Sequence, residues 1–104
     1  MAVDKEYIDW VMELLSPVGD ITNRAMFGGY GIFENGIMFA LVSKEPSLYF
    51  KASESNIGFF EEAKSKRFKP MPYYEVPADI LEDVDELSIW AKRSIEVAKS
   101  TSKK

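Results

Sequence analysis

The stretch that decides the fold is RAMFGGYGIFENGIMFALVSKEPSLYFK, residues 24–51. At its centre, Asn35-Gly36 separates two apolar runs. This pair is a strong signal for a two-residue hairpin turn, because a type I′ turn needs positive φ at both central residues. The runs at residues 26–34 and 37–43 are predicted strands, and a third strand at 48–51 follows a turn that contains Pro46. The stretch therefore predicts a three-strand antiparallel meander.

Alternation along these strands places large apolar side chains on both faces of the predicted sheet. For the first strand, the two predicted faces are Met26, Tyr30 and Ile32 against Phe27 and Phe33. For the third strand, they are Leu48 and Phe50 against Tyr49 and Lys51. We expect other elements to cover at least part of each face.

Helical periodicity appears on both sides of the meander. A first helix of about a dozen residues is predicted to begin at an Asp4 N-cap, with a stripe of apolar residues repeating every three to four positions. Its members are Tyr7, Ile8, Val11, Leu14 and Leu15. A second helix is predicted after a Ser53 or Ser55 cap. Its stripe is Ile57, Phe60 and Ala63.

The last helix has the clearest start signal, because Asp83 and Glu86 have the spacing of a capping box. Its predicted buried stripe is Leu87, Trp90, Ala91, Ile95 and Ala98. We expect Trp90 to pack on the sheet near Phe50 or Phe33, with Trp10 off the main stripe of the first helix. The polar tail, residues 100–104, is expected to fray.

Between the second and last helices lies a segment with three prolines, residues 70–77. Proline lacks the amide donor of a sheet ladder and breaks a helix interior, so we predict a short strand at residues 73–76 between rigid turns. The element order is then α-β-β-β-α-β-α. This order predicts one α+β domain over residues 1–104, with an antiparallel sheet packed against helices.

The composition restricts the classes of function. The 104 residues include no cysteine and no histidine, so a thiol nucleophile, a thiolate metal site and an imidazole base are excluded. The net charge of −4 disfavours a general electrostatic grip on nucleic acid. The N-terminus lacks an apolar signal segment, and the longest apolar run is too short to span a membrane. We expect a cytoplasmic protein without enzymatic activity, cofactor or metal.

The first predicted strand carries Arg24, Gly28 and Gly29. An arginine beside glycine amides could bind a small anionic molecule. The alternative is structural: the glycines allow a bent strand or the close approach of another backbone, and Arg24 pairs with Asp20 or a helix acid.

The basic cluster of the chain is Lys64, Lys66, Arg67 and Lys69, with Phe60, Phe68 and Tyr73 nearby. Basic and aromatic side chains together can bind single strands of nucleic acid. The alternative is a solvated loop whose rings belong to the core. We expect no direct binding of duplex DNA by this domain.

Tyr73 and Tyr74 are adjacent in an extended segment and must point in opposite directions. If one is anchored in the core, the other faces solvent and could anchor a protein partner, with Arg67 and Lys69 as a charged rim. The alternative is that the second tyrosine covers the sheet edge or Phe68. The partner could be another protein or a second copy of the chain.

These segments, taken in order, resemble the N-terminal domain of the TfoX/Sxy family of competence regulators. The resemblance rests on RAMFGGYGIF (residues 24–33), LYFK (48–51), MPYYEVP (71–77) and the late helix with Leu87, Trp90 and Ala91. It covers nearly the whole chain, and the composite is more specific than any one segment.

The resemblance implies a regulatory role without catalysis. Full-length members of this family co-activate natural-competence genes with the cyclic-AMP receptor protein, and they continue into a second, helical domain. This chain ends at Lys104, and its sequence leaves open whether it is a stand-alone relative or part of a longer product. The partner implied is a protein of the transcription machinery.

Overall fold

A single antiparallel sheet organises the structure, a computed structural model that describes residues 5–26, 28–68 and 71–102. Its five strands lie side by side in chain order. They are β1 (Ile21–Met26), β2 (Gly29–Glu34), β3 (Ile37–Val42), β4 (Leu48–Lys51) and β5 (Tyr73–Glu75). The predicted α+β class is confirmed.

The hairpin between β2 and β3 forms as its sequence predicts. Asn35 has φ 55° and Gly36 has φ 80°, the left-handed values that a type I′ turn requires. The two strands pair from Glu34 opposite Ile37, with a bulge next to Ile32 and Phe33. The Asn-Gly pair thus fixes the register of the central hairpin.

The structure corrects the prediction at the start of the sheet. An additional strand that the sequence did not predict, β1, precedes the meander and pairs with β2 from Ile21 opposite Glu34 to Met26 opposite Gly29. Gly28, with φ 75°, lies in the turn between β1 and β2, so the strand predicted over residues 26–34 is divided.

Met26 consequently lies on a different face from the one predicted. A Cβ atom on Gly31 would come within 2.7 Å of the Met26 Sδ and within 3.3 Å of the Phe33 ring. Met26 therefore shares the face of Phe33, while Ile32 and Tyr30 belong to the other face. The placement predicted for Phe27 lies outside the described residues.

Helices cover one face of the sheet. They are α1 (Lys5–Leu15), α2 (Ile57–Glu62), α3 (Ala78–Leu81) and α4 (Val84–Ser102), with a short 3-10 turn (Ser16–Val18) after α1. The main hydrophobic core joins Val11 of α1 and Ala91 of α4 to Ile32, Phe39 and Phe50 of the strands. The short helix α3 was not predicted.

The helix ends test the capping predictions. The capping interaction of α4 is confirmed, since the Glu86 amide donates to Asp83 Oδ1 at 3.2 Å. The serine cap of α2 is wrong, because Asn56 occupies that position. Its side chain accepts from the Ser53 amide (2.8 Å) and donates to the Lys51 carbonyl (3.1 Å). The predicted Asp4 cap lies outside the described residues.

The apolar stripes of the helices are largely as predicted. Ile8, Val11 and Leu15 of α1 are buried. The predicted stripe of α4 is also buried: Leu87, Trp90, Ala91, Ile95 and Ala98. In α2, Phe60 is buried, but the helix ends at Glu62 and Ala63 is exposed.

Two further predictions about the helices need correction. Trp90 belongs to the same core as Phe50, one of its two predicted neighbours, but Phe33, the other, lies on the far face of the sheet. The closest rings to Trp90 that the structure records are Phe60 (5.0 Å between centroids) and Phe59 (5.9 Å) of α2. The last helix continues through the start of the expected frayed tail, where Thr101 Oγ1 donates to the Val97 carbonyl at 3.0 Å.

The second face of the sheet carries its own smaller hydrophobic cluster. Leu41, Tyr49 and Tyr73 are buried there, with Met38, Phe68 and Met71 packed against them. Leu48 and Phe50 lie on the helix side, so the opposite placement of Leu48 and Phe50 against Tyr49 is confirmed. Within the described residues, no helix is both long enough and apolar enough to cross a membrane.

Candidate functional site

The predicted site residues are distributed over the two opposite edges of the sheet. Arg24 is on β1 at one edge, whereas Tyr73 and Tyr74 are on β5 at the other. Four inter-strand spacings separate these strands, so the two groups lie about 19 Å apart. They do not form one site, and Lys69 lies outside the described residues.

Arg24 is exposed and lies over an aromatic ring. Its guanidinium carbon is 5.1 Å from the centroid of the Phe33 ring, within the range of a cation–π interaction. A shallow groove beside it is lined by Thr22, Asn23 and Gly36. The guanidinium is held by Phe33 rather than by the predicted Asp20 partner.

The glycines near Arg24 have structural explanations. A Cβ atom on Gly29 would come within 1.9 Å of the Val42 carbonyl oxygen, so only glycine allows this approach of β3. Gly28 is exposed in the turn after β1. Gly29 pairs with Met26 in the β1–β2 ladder, and from Tyr30 onward β2 is paired on both sides. This geometry gives the anion-binding alternative no support.

Tyr73 and Tyr74 point in opposite directions, as predicted, but neither is exposed. Tyr73 is 3% exposed and belongs to the cluster on the second face. Tyr74 is half-buried against the main core, with its ring 5.7 Å from Phe60. Both faces of the sheet have a core at this position, so Tyr74 is not fully exposed, and its role as an anchor for a protein partner stays a prediction.

The environment of Tyr73 also affects its ionisation. Burial disfavours the charged phenolate and raises the pKa of Tyr73 to about 12. Burial likewise raises the pKa of the neighbouring Tyr49, with smaller contributions from the carboxylates of Glu45 and Glu75. Both hydroxyls are therefore neutral at physiological pH.

The basic cluster lacks rings that could stack on bases. Lys64, Lys66 and Arg67 are exposed, but Phe60 and Tyr73 are buried in the two cores. Phe68 is half-buried, with its ring 5.2 Å from Tyr49. The structural alternative, in which these rings belong to the core, fits the observed packing.

The two edges of the sheet differ in how their backbone groups are satisfied. Along β5, Phe68 donates its amide to the Tyr73 carbonyl (2.8 Å), and Glu75 donates its amide to the Lys66 carbonyl (2.9 Å). Arg67 forms a bridge with Tyr74, and its Nε donates to the Met71 carbonyl. The segment before β5 thus covers this edge.

The β1 edge has no such cover within the described residues. Residues 22–25 are exposed, and β1 pairs with β2 alone. No backbone hydrogen bond among the described residues reaches its outer side. An exposed strand of six residues offers a row of unpaired amides and carbonyls, which is a template for strand addition.

Beside this edge, the second face of the sheet is open. We define the open patch as Arg24, Met26, Phe33 and Met38, which are exposed or half-exposed. Gly31 lies between them, and a Cβ there would meet both methionine sulfurs and the Phe33 ring. Methionine and aromatic side chains around a cation make an adaptable surface for a protein partner.

Sequence reasoning identified Arg24 but missed the edge on which it lies. The β-branched pair Ile21-Thr22, directly after Gly19-Asp20, is a strand signal of the ordinary kind. It was outweighed by the polar residues that follow. Within the described residues, no group of three or more acidic side chains is arranged to hold a metal ion.

Comparison with known proteins gives a family for this architecture. No curated protein sequence matches the chain. The family model described as the TfoX N-terminal domain matches residues 13–98, which includes all five strands and most of α4. The chain therefore belongs to the TfoX N-terminal domain family.

Proposed function

We propose that this domain is a regulatory protein-interaction module without enzymatic activity, and that β1 is its binding edge. Membership of the TfoX N-terminal domain family supports the regulatory part. The role we propose is transcriptional co-activation in the cytoplasm, with the cyclic-AMP receptor protein and at competence genes. The observation that carries the binding part is the contrast between the open β1 edge and the covered β5 edge.

The composition of the chain supports a role without catalysis. It contains neither histidine nor cysteine, the side chains that most often serve as general base or nucleophile near neutral pH. No imidazole or thiolate is present to activate its serine or lysine residues as nucleophiles. Binding is the function class that the exposed surfaces favour.

The proposed mode of binding is antiparallel addition of a strand to β1. Main-chain hydrogen bonds supply affinity in such complexes, and side chains on alternate positions supply specificity. On β1, Thr22, Arg24 and Met26 alternate along one side of the strand, as their partners Phe33, Gly31 and Gly29 do on β2. A partner strand would therefore meet the open patch as well as the edge.

A second copy of the chain fits this edge with complementary charge. A two-fold axis at Thr22 would place Thr22 opposite itself and Asp20 opposite Arg24, on both sides of the axis. Both residues are exposed, and no ion pair joins either to another described residue. Cross-strand threonine pairs and opposite charges each stabilise antiparallel pairing. The first partner we propose is thus a second copy.

Sedimentation velocity with charge-swap variants tests this register. Wild-type protein should dimerise, and Arg24→Asp or Asp20→Arg should each weaken the dimer by at least about tenfold through like-charge contacts. The double variant, Asp20→Arg with Arg24→Asp, should restore it. Lys92→Asp, an exposed charge reversal on α4, is the matched control and should leave the dimer unchanged.

If the wild-type protein is a monomer and binds the cyclic-AMP receptor protein, that receptor rather than a second copy is the partner of β1. Arg24→Asp should then weaken that complex, and Lys92→Asp should not. If Arg24→Asp changes neither association, β1 is not the binding edge. If neither association occurs, the interaction function is wrong for this domain.

A further inference from the structure

A groove on the other side of the molecule has the features of a small-molecule site. It lies where α1, the turn between β3 and β4, the end of α2 and β5 meet, and its volume is about 420 Å³. Volumes of this size are common for ligand pockets. Its apolar lining includes Pro46, Leu48, Val76, Pro77 and Leu81. None of the residues of the open patch takes part in it.

Three residues with polar side chains that have no hydrogen-bond or ion-pair partner among the described residues line this groove. They are Tyr7, Glu75 and Lys64. Tyr7 and Glu75 are half-buried and Lys64 is exposed. Among the described residues, no hydrogen bond or ion pair engages these three groups, and the Tyr7 and Glu75 oxygens are not sealed from solvent.

The charge of Glu75 affects the ionisation of Tyr7. The pKa of Tyr7 is raised mainly by burial and further by the negative charge of Glu75. The hydroxyl is therefore neutral, and its oxygen can accept a hydrogen bond close to a carboxylate, which suits a bound ammonium group because that group only donates. No ion pair joins Glu75 to Lys64, so the two charges remain available on one surface.

Lys64 occupies a backbone position where glycine would be favoured. Its φ is 57°, in the left-handed region. The Ser65 amide donates to the Phe60 carbonyl (2.9 Å) and the Lys64 amide to the Glu61 carbonyl (3.0 Å), as in a Schellman motif. A lysine here is strained relative to glycine, and this residue lines the groove.

We propose that this groove binds a small zwitterion of the amino-acid class with an apolar side chain. Glu75 and the Tyr7 hydroxyl take the ammonium group, and Lys64 takes the carboxylate. The apolar side chain lies against Pro46, Pro77 and Leu81. A ligand with one charge of each sign matches the charges of the groove and brings no net charge to it.

The proposal can be tested by titrating the full chain with L-leucine, L-valine or L-phenylalanine and following the amide chemical shifts. At least one should give saturable shifts at Ser65, Glu75 and Ala78. For that amino acid, the amine lacking the carboxylate and the acid lacking the ammonium should each bind at least about tenfold more weakly. The proposal would be overturned if the amino acid, its amine and its acid bound equally well. It would also be overturned if the shifts occurred only at residues outside the groove, or if no amino acid gave saturable shifts.

Substitutions inside and outside the groove test whether these residues bind the ligand. Glu75→Gln and Lys64→Met should each weaken binding at least about tenfold, since each removes one charge contact. Lys64→Gly should weaken it equally while relieving the backbone, which distinguishes lost binding from lost folding. Glu61→Gln and Lys66→Met alter exposed charges outside the groove and should bind as wild type. Unchanged binding by Glu75→Gln and Lys64→Gly would contradict the assignment.

Discussion

The two faces of the sheet are both apolar, but they are covered in different ways. Helices α1 and α4 close one face over a continuous core that includes Ile32, Phe39 and Phe50. On the other face, Phe68 and Met71 cover only the part formed by β3, β4 and β5. The helix face holds the larger of the two buried clusters, and the second face is covered incompletely.

The edges of the sheet differ in the same way. The loop residues that cover the second face also pair with the β5 edge, through the Arg67–Tyr74 bridge. Nothing comparable reaches β1 within the described residues. One segment therefore protects both a face and an edge at one side of the sheet. The opposite side, with β1 and the open patch, is left accessible.

The largest expected effect comes from the helix-covered face. Trp90 is 9% exposed and packs on Phe59 and Phe60, so Trp90→Ala should lower the free energy of unfolding by about 3–5 kcal/mol. Trp10 is 42% exposed and contacts Tyr7, so Trp10→Ala should cost less than about 1.5 kcal/mol. Urea denaturation of both variants measures the difference. Equal midpoints at equal slopes would show that α4 does not supply the dominant core.

The burial of Tyr73 on the second face should make the stability of the protein depend on pH. The pKa of Tyr73 is about 12 in the folded protein and about 10 when unfolded, because burial disfavours the phenolate. Unfolding then releases a proton between these values, so stability falls as pH rises from about 10 to 12, by up to about 2.7 kcal/mol for this group. The contribution is fully present below pH 10.

Urea denaturation of wild type and Tyr73→Phe across this range isolates the tyrosine. The variant should lose less stability on going from pH 9 to pH 12, and the remaining dependence comes from groups such as Tyr49 and Tyr7, whose pKa values are also raised. Parallel curves for the two proteins would mean that Tyr73 is not enclosed, and that the loop with Phe68 and Met71 does not cover this face.

The contrast between faces also explains what the sequence could predict. Residues with a strong local signal formed as expected: Asn35-Gly36 in the hairpin, Asp83 with Glu86 at the start of α4, and the stripe around Trp90. Each of these depends on neighbours a few positions away. The class of fold follows from such signals because they specify the elements and their order.

Strand β1 was missed because its local signal is limited to Ile21-Thr22 at its start. Its residues are exposed along most of its length, so the alternation of apolar and polar side chains that marks a half-buried strand is absent. An edge strand is held by its pairing with β2, which no window of the sequence displays. The candidate site depends on this strand, and so Arg24 could be named while its edge could not.

Tyr73 and Tyr74 illustrate the opposite limitation. Their alternation was predictable, but their burial depends on Phe68 and Met71 folding back over one face and on Phe60 packing against the other. The groove around Glu75 was invisible for a related reason. Its side chains come from positions 7, 64 and 75 and are brought together by the tertiary fold.

The smallest expected effects come from two glycines, one in the helical layer and one beside the open patch. Gly58 of α2 and Gly36 of the hairpin both have open space where a Cβ would be added, and Gly36 alone has a positive φ, 80°. Gly58→Ala should therefore raise stability by about 0.4–1 kcal/mol, because alanine restricts the unfolded chain and favours the helix. Gly36→Ala should lower it by about 1–2 kcal/mol, because a Cβ strains the left-handed backbone.

The denaturant midpoints of the two variants measure this difference in stability. The two substitutions are chemically identical, so any difference between them comes from the backbone conformation and surroundings of each glycine. If both shift in the same direction, backbone conformation does not distinguish these sites, and the I′ turn does not fix the hairpin that carries Phe33 and Met38.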